Sequence, residues 1–236
     1  MDNLPRIVAV LLEGLPATVI ATVGGIVLTI VLSFAAGLAL LSGSRVVRGL
    51  TRVYVEGFRG TSEVVQLFWI YFVLPLLVGV QLVPLFAGVL VLGLNHGAYG
   101  AEIVRGAVQS VPRAQYEGAI ALNLSPVQRM RRVILPQAVV EMLPPLSNLF
   151  IQLLKSTAIL SLITVAEVTR QGRDVLVPNF GGDIVLIFVV MLVIYLVLAV
   201  LITVVMRVAE RLAAVKVGRR PSQEARIAAT TGSRVA

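Results

Sequence analysis

The sequence predicts an all-helical integral membrane protein with about five transmembrane helices. Of its 236 residues, 58% are hydrophobic and only 14% are charged, which is unlike a water-soluble domain. Several uncharged stretches are long enough to cross a hydrocarbon layer of about 30 Å, which needs roughly 20 helical residues. The chain has no cysteine and one histidine, His96, so disulfides, thiolate metal sites and multi-histidine metal sites are all excluded.

Five apolar stretches define the predicted spans, which lie near residues 18–41, 62–78, 84–104, 146–165 and 184–206. The uncharged run from Val64 to Ala101 would reach about 57 Å as one helix, which is too long for a bilayer. We therefore place a break at residues 79–84, where the sequence GVQLVP supplies turn residues. The first span is expected to be retained, because no basic segment or small-residue cleavage site precedes it.

The distribution of arginine and lysine predicts the orientation of these spans. Basic residues follow spans 1, 3 and 5, and 16 of the 20 lie on that side. Cytoplasmic loops carry such an excess, so the N-terminus should be outside and the C-terminus inside. The net charge of +8 then indicates cytoplasmic loops and no binding to nucleic acid. The chain divides into an external segment 1–13, a transmembrane domain 14–210 and a mobile cytoplasmic tail 211–236.

A polar segment at residues 109–136, between spans 3 and 4, predicts two short cytoplasmic helices. Pro112 suits the first turn of a helix, and Asn123 suits the left-handed residue that ends it. The sequence SPVQ at 125–128 indicates a second helix, with serine as its cap, proline at its first position and glutamine three residues after the cap. This second helix should end near Pro136, which cannot continue it without a kink.

This segment resembles the signature loop of permease subunits of ATP-binding-cassette (ABC) importers. In that family the loop reads Glu-Ala-Ala, three residues, Gly, nine residues and Ile-x-Leu-Pro. Here the corresponding residues are Glu117-Gly118-Ala119, Asn123 and Ile134-Leu135-Pro136. Gly118 replaces an alanine and Asn123 replaces the glycine; a small residue and a left-handed turn are kept. The closing motif is shortened unless Val133 counts as its first apolar residue.

The resemblance covers roughly residues 14–210, the ABC transporter type-1 transmembrane domain. It extends through further marks of the polar amino acid (histidine/glutamine permease-like) branch, namely FRGT at 58–61, AEIVRG at 101–106, SVP at 110–112, LPQA at 135–138, LPP at 143–145 and LKST at 154–157. The sequences at 121–125 (ALNLS) and 130–134 (MRRVI) are most similar to those of ectoine/hydroxyectoine permeases. The resemblance therefore implies a type I ABC importer permease fold and an importer for a polar amino acid or an amino-acid-derived compatible solute.

The resemblance also implies that the short helices are coupling helices that dock on a separate ATPase. The residues that would carry this coupling are Glu117, Gly118, Ala119, Asn123, Arg131 and Pro136. The implied partners are ABC ATPase subunits, a second permease subunit of the same or a similar kind, an extracytoplasmic solute-binding protein and membrane lipid. The chain itself should bind no cofactor and catalyse no reaction. Its Lys155-Ser156-Thr157 lacks the glycines of a phosphate-binding loop, so ATP and Mg²⁺ belong to the ATPase.

Polar residues within the spans are candidates for the solute pathway, because charged groups at membrane depth are costly unless they are paired or hydrated. The candidates are Glu63, Gln66, Asn95, Tyr99, Glu102, Gln152, Lys155 and Thr157. Lys155 within span 4 either pairs with Glu63 or Glu102 as a structural ion pair or meets a carboxylate of the solute. Glu102 and Arg105 are three residues apart and can pair along one helix face.

Other functions stay open on the residues alone. The 109–136 segment can be interpreted as an amphipathic loop on anionic lipid headgroups, and the chain as a self-sufficient secondary transporter or channel. A secondary transporter usually shows internal repeats and a channel shows a filter-like repeat, and neither is visible. An intramembrane protease would need a Ser–His pair, paired aspartates or HExxH, which the spans lack.

Overall fold

A computed structural model describes residues 3–217, and every regular element within that range is helical. The α-helices are α1 (Leu4–Glu13), α2 (Leu15–Leu40), α3 (Arg45–Arg59), α4 (Glu63–Phe68), α5 (Leu74–Val78), α6 (Pro84–Ser110), α7 (Arg113–Ala121), α8 (Pro126–Arg129), α9 (Leu135–Ser156), α10 (Val168–Arg170), α11 (Val177–Asn179) and α12 (Ile184–Lys216). Short π-helical turns occupy Trp69–Val73, Met130–Ile134 and Gln171–Leu176, and 3₁₀ turns occupy Thr157–Ile163 and Gly181–Asp183.

Three continuous helical stretches are long and apolar enough to cross a membrane, at Leu4–Leu40, Pro126–Ile163 and Gly181–Lys216. A fourth is possible if α3 and the helix Glu63–Val78, which meet at an angle of 105°, form one bent span. Helix α6 reaches about 40 Å and is therefore long enough. Many of its residues are buried, among them the polar Asn95 and His96.

Helices α2 and α6 form the centre of the molecule and run parallel. Their backbones approach closely because glycines of one helix face side chains of the other. The facing pairs are Gly24 with Val89, Leu28 with Gly93, Leu32 with Gly97, and Gly37 with Val104. Helix α9 packs against α6, and α12 packs against α9. The turn between α5 and α6 falls within residues 79–84, and Gly79 has the positive φ of 73° that this turn requires.

Two helix ends differ from the sequence-based expectation. The second cytoplasmic helix does not end at Pro136, and helical structure continues from Pro126 to Ile163. The π-helical turn at Met130–Ile134 changes the hydrogen-bond spacing just before Pro136, so a residue without an N–H is accommodated. Helix α12 continues to Lys216, past the expected start of the tail at 211. The rest of that predicted tail, and the first two residues of the external segment, lie outside the described residues.

A buried carboxylate ties together the end of the molecule that is predicted to be external. Glu167 accepts hydrogen bonds from the backbone N–H groups of Thr169 and Arg170, both at 2.7 Å. It also accepts from the Tyr195 hydroxyl at 3.1 Å. The next backbone N–H, of Val168, donates to the Thr18 hydroxyl at 3.2 Å. Burial raises the pKa of the Glu167 carboxyl above its ordinary value, although these hydrogen bonds oppose the shift.

Candidate coupling loop and solute pathway

The 109–136 loop is a helix–turn–helix whose two ends are closed by local hydrogen bonds. Asn123 has a φ of 55°, which confirms the left-handed turn. The N–H of Leu124 donates to the carbonyl of Ala119 at 3.1 Å, and the N–H of Asn123 to that of Ile120 at 2.8 Å. This pair of bonds is the Schellman motif that satisfies the last carbonyls of a helix. Pro112 lies at the N-cap position, just before the first residue of α7 and one place earlier than expected, and it provides no side-chain cap.

The second helix begins with the predicted capping box. The Ser125 hydroxyl accepts from the N–H of Gln128 at 3.3 Å, and the Gln128 side chain accepts from the N–H of Ser125 at 3.1 Å. Such a reciprocal cap satisfies two backbone donors and fixes the entry angle of the chain. Only four residues, 122–125, lie between α7 and α8, and Asn123 is one of them. The loop is therefore an ordered element with defined ends.

Two long-range hydrogen bonds fasten this loop to the membrane-spanning helices. The Tyr116 hydroxyl donates to the carbonyl of Val108 in α6 at 3.1 Å. The Gln137 amide in α9 donates to the Gln115 side chain at 3.1 Å. Ile134 is fully buried in a core cluster that includes residues of α6 and α9. The loop is therefore held against both α6 and α9. Tyr116 and Gln115 were not predicted as anchors, because their partners depend on the tertiary fold.

The outer surface of the loop combines a carboxylate with apolar side chains. Glu117, Gly118 and Asn123 are exposed, and a side chain on Gly118 would meet open space. Leu122 and Val127 are also exposed, at 75% and 74%. Isolated apolar side chains on a surface are ordinary, but a cluster at the tip of an ordered loop is typical of a protein interface. Among the other predicted coupling residues, Arg131 and Pro136 are exposed and Ala119 is buried as an anchor.

Three of the pathway candidates are occupied by hydrogen bonds within the chain. The Gln66 amide donates to the Phe58 carbonyl at 2.8 Å and to the Thr61 hydroxyl at 2.7 Å, and its oxygen accepts from Asn95 at 3.0 Å. Thr157 is fully buried and donates to the carbonyl of Leu154 at 2.7 Å. Gln66, Asn95 and Thr157 therefore hold helix breaks in place.

A polar cluster lies where α4, α6 and α9 meet. The Ser156 hydroxyl donates to Glu63 Oε2 at 2.9 Å, and Glu63 Oε1 is 3.5 Å from Nδ1 of His96. Nδ1 of His96 also lies 3.1 Å from the carbonyl of Leu92. Within the described residues, Glu63 Oε1 and His96 Nε2 are buried without a hydrogen-bond partner. Glu63 thus joins two helix breaks, at 60–62 and at the end of α9.

The remaining candidates are at least partly exposed. Tyr99, Gln152 and Lys155 are exposed on the single chain, and the Arg59 guanidinium lies 5.3 Å from the Tyr99 ring centre. Glu102 pairs with Arg105 at 2.6 Å, which confirms the expected i,i+3 pair. Across residues 3–217, Lys155 forms no ion pair with either glutamate that was expected to neutralise it. Of the two alternatives for Lys155, the structural ion pair is absent from the described residues of the single chain, and contact with a carboxylate of the solute stays a prediction.

Comparison with known proteins decides the family. The family model described as "Binding-protein-dependent transport system inner membrane component" matches residues 29–214. The chain belongs to this family. The predicted resemblance to ABC importer permeases, and the all-helical permease fold, are thereby confirmed.

The curated relatives described below are named as amino-acid permeases. The chain is 48% identical over 167 residues to the probable amino-acid ABC transporter permease protein y4tF of Sinorhizobium fredii, covering 69% of each chain. It is 40% identical over 174 residues to the glutamine transport system permease protein GlnP of Escherichia coli K12, covering 73% of this chain and 80% of GlnP. A solved structure described as an amino acid ABC transporter with histidines matches with a TM-score of 0.77 and 30% identity, covering 86% of this chain and 94% of that one.

Proposed function

We propose that the chain is the translocation subunit of an ATP-driven importer and that residues 109–136 couple it to a separate ATPase. The observation that carries this proposal is the doubly capped loop with an exposed carboxylate and an apolar tip. Hydrogen bonds to α6 and α9 make the loop stiff enough to pass on a displacement. ATP and Mg²⁺ would be handled by the ATPase, since the sequence offers no phosphate-binding loop.

The assembly proposed around this chain has three further components. A second permease subunit, identical or similar, would complete the pathway, because five spans enclose a pathway poorly. ABC ATPase subunits would dock on Glu117, Gly118 and the apolar tip. An extracytoplasmic solute-binding protein would deliver the solute from the side where the N-terminus lies. In this arrangement the C-terminus is cytoplasmic, as the arginine distribution predicts, and the spans lie in the inner membrane, as the family description states.

The proposed solute is a polar amino acid or an amino-acid-derived compatible solute, with ectoine or hydroxyectoine favoured. The sequences at 121–125 and 130–134 support the ectoine type. The name of the relative GlnP makes glutamine the main alternative solute. We assign the pathway surface to Glu63, Tyr99, Gln152 and Lys155, whereas Glu102 is paired with Arg105. A zwitterionic solute needs a cation for its carboxylate and a carboxylate or aromatic face for its positive end, and this surface offers both.

Charge reversal at the coupling loop tests the function. The complex is reconstituted in proteoliposomes with its ATPase and binding protein, and uptake and ATP hydrolysis are measured together. Glu117→Lys should lower uptake per ATP hydrolysed by roughly tenfold or more, the scale of a typical coupling energy. Glu13→Lys makes the same charge change on exposed α1, at the opposite end, and should have little effect. Unchanged coupling in Glu117→Lys, or uptake without any ATPase, would instead support a secondary transporter or channel.

The solute is identified by competition. Labelled ectoine, hydroxyectoine, glutamine and histidine are offered to the same proteoliposomes, and affinity is compared between wild type and Lys155→Gln. Loss of a charged hydrogen bond should weaken the binding of a carboxylate-bearing solute by about tenfold or more, and Lys155→Arg should restore part of it. Preference for glutamine over both ectoines would replace the favoured solute while leaving the importer assignment intact.

A further inference from the structure

An arginine-lined cleft opens between α3 and α6, at the end of the molecule that is predicted to be cytoplasmic. The cleft has a volume of about 550 Å³, and its polar lining includes Arg48, Arg52 and Arg105 together with Glu56, Glu102 and Gln109. The Arg48 guanidinium donates to the carbonyl of Ser42 at 3.0 Å, so its position is fixed by the loop after α2. Three guanidinium groups therefore converge on one concave surface.

The charges in the cleft do not cancel. Glu102 forms an ion pair with Arg105 at 2.6 Å, and Arg105 also donates to the Gln109 side chain at 3.0 Å. Glu56 remains to balance Arg48 and Arg52, which leaves one net positive charge. Arg52 is exposed and forms no ion pair with any residue in 3–217. A guanidinium in this state is a donor for an anion from outside the chain, and its planar fork suits a phosphate group.

The outward face of α3 is apolar, next to this cleft. Val46, Leu50 and Val53 recur at i, i+4 and i+7, and each is at least 70% exposed. A second groove, lined by Leu32, Ala35, Ala39 and Leu50 among others, runs beside it along α2. A helix with arginines on one flank and exposed aliphatic residues on the other is typical of the boundary between headgroups and acyl chains.

We propose that the cleft between α3 and α6 binds the phosphate headgroup of an anionic phospholipid of the cytoplasmic leaflet, with its acyl chains along the apolar face of α3. The phosphate would accept from Arg48 and Arg52. A soluble anion would use the arginines alone and would leave Val46, Leu50 and Val53 in water. A zwitterionic lipid would bring its own cation against the positive charge. An anionic lipid fits both the arginine-lined cleft and the apolar face of α3. The predicted orientation of the chain places this lipid in the cytoplasmic leaflet.

The test measures lipid binding directly, so that it is separate from transport. The intact permease–ATPase complex is purified in detergent and titrated with phosphatidylglycerol, phosphatidylcholine or glycerol 3-phosphate. Bound molecules are counted by native mass spectrometry, and the melting temperature is recorded. Phosphatidylglycerol should bind with the highest affinity. The double variant Arg48→Gln with Arg52→Gln should weaken it by roughly thirtyfold, from about 1 kcal/mol for each arginine near a membrane surface.

A matched pair of arginines separates a built site from general charge attraction. Arg207 and Arg211 are exposed on α12 at the same i,i+4 spacing, also beside exposed aliphatic residues such as Val204 and Val208. Arg207→Gln with Arg211→Gln should change phosphatidylglycerol affinity by no more than about twofold if the cleft is the site. If the double variant misfolds, the same affinity is measured with the single variant Arg52→Gln. Arg52 forms no ion pair within residues 3–217, so this substitution should leave the fold intact.

Three results would overturn the proposal. Equal losses in the α3 and α12 pairs would show attraction to surface charge without a site. Equal affinity for phosphatidylcholine would remove the role of the arginines. Binding of glycerol 3-phosphate as tightly as phosphatidylglycerol would make the cleft a site for a soluble phosphate, with no part played by the apolar face.

Discussion

Replacement of Gly93 by alanine should destabilise the protein, because α6 meets α2 at this residue without room for a side chain. A Cβ atom on Gly93 would lie 2.6 Å from Cγ and 2.7 Å from Cβ of Leu28, where ordinary contact begins at 3.4 Å. The Cβ of Leu28 cannot leave by rotation, so α2 must retreat by about 0.7 Å along a packed interface. Overpacking of this kind costs about 1–3 kcal/mol.

Gly106→Ala is the matched control for this substitution. Gly106 lies in the same helix, is exposed, and would place its Cβ in open space. Both substitutions gain the helix propensity of alanine, up to about 1 kcal/mol, so this gain cancels in the comparison. The melting temperature of the purified permease, measured in one detergent for both variants, should be lower for Gly93→Ala by several degrees. A Gly93→Ala protein that melts at or above Gly106→Ala would refute the close approach of α2 and α6.

Three further predictions follow from single residues. Asn123→Val should strain the left-handed turn by about 1–2 kcal/mol and lower coupled ATP hydrolysis, whereas Asn123→Gly should retain it; equal activities would contradict the turn. Gln66→Leu should cost about 1–3 kcal/mol of thermal stability, because it removes one of the two acceptors of the buried Asn95 amide and leaves the Phe58 carbonyl without the Gln66 donor. Burial raises the pKa of Glu167, so its contribution to stability is complete below its ordinary value and is lost as the pH rises through the folded-state value. The melting temperature of Glu167→Gln minus that of wild type should therefore increase with pH, and a constant difference would contradict the raised pKa.

The coupling loop could be predicted closely because its signals are local. A left-handed asparagine and a capping box act within four or five residues of the chain, and tertiary contacts have no need to overrule them. Helix ends that depend on neighbours could not be predicted in the same way. Pro136 is a helix breaker by itself, but a π-helical turn just before it keeps the helix continuous into α9.

The solute pathway was harder to predict, because a polar residue within a span serves either the solute or another helix. Gln66 and Asn95 bond to each other and to the Phe58 carbonyl across a helix break, which no local pattern indicates. Lys155 and Glu63 are compatible as a pair in sequence, yet Glu63 accepts from Ser156 and lies 3.5 Å from Nδ1 of His96. Composition predicted the membrane fold since hydrophobic length is enough for that purpose, whereas partners within spans are set by packing.

The central claim, that residues 109–136 are a cytoplasmic lever driven by a separate ATPase, is tested most directly by a single thiol at Gly118. The chain has no cysteine of its own, and a side chain at Gly118 meets open space, so Gly118→Cys gives one reactive group without disturbing the loop. Gly181→Cys, equally open and on the predicted external side, is its counterpart. An impermeant thiol reagent added to intact cells should label Gly181→Cys only, and Gly118→Cys should cross-link to the ATPase with loss of uptake. Labelling of Gly118→Cys from outside, or full uptake after cross-linking, would contradict a cytoplasmic lever.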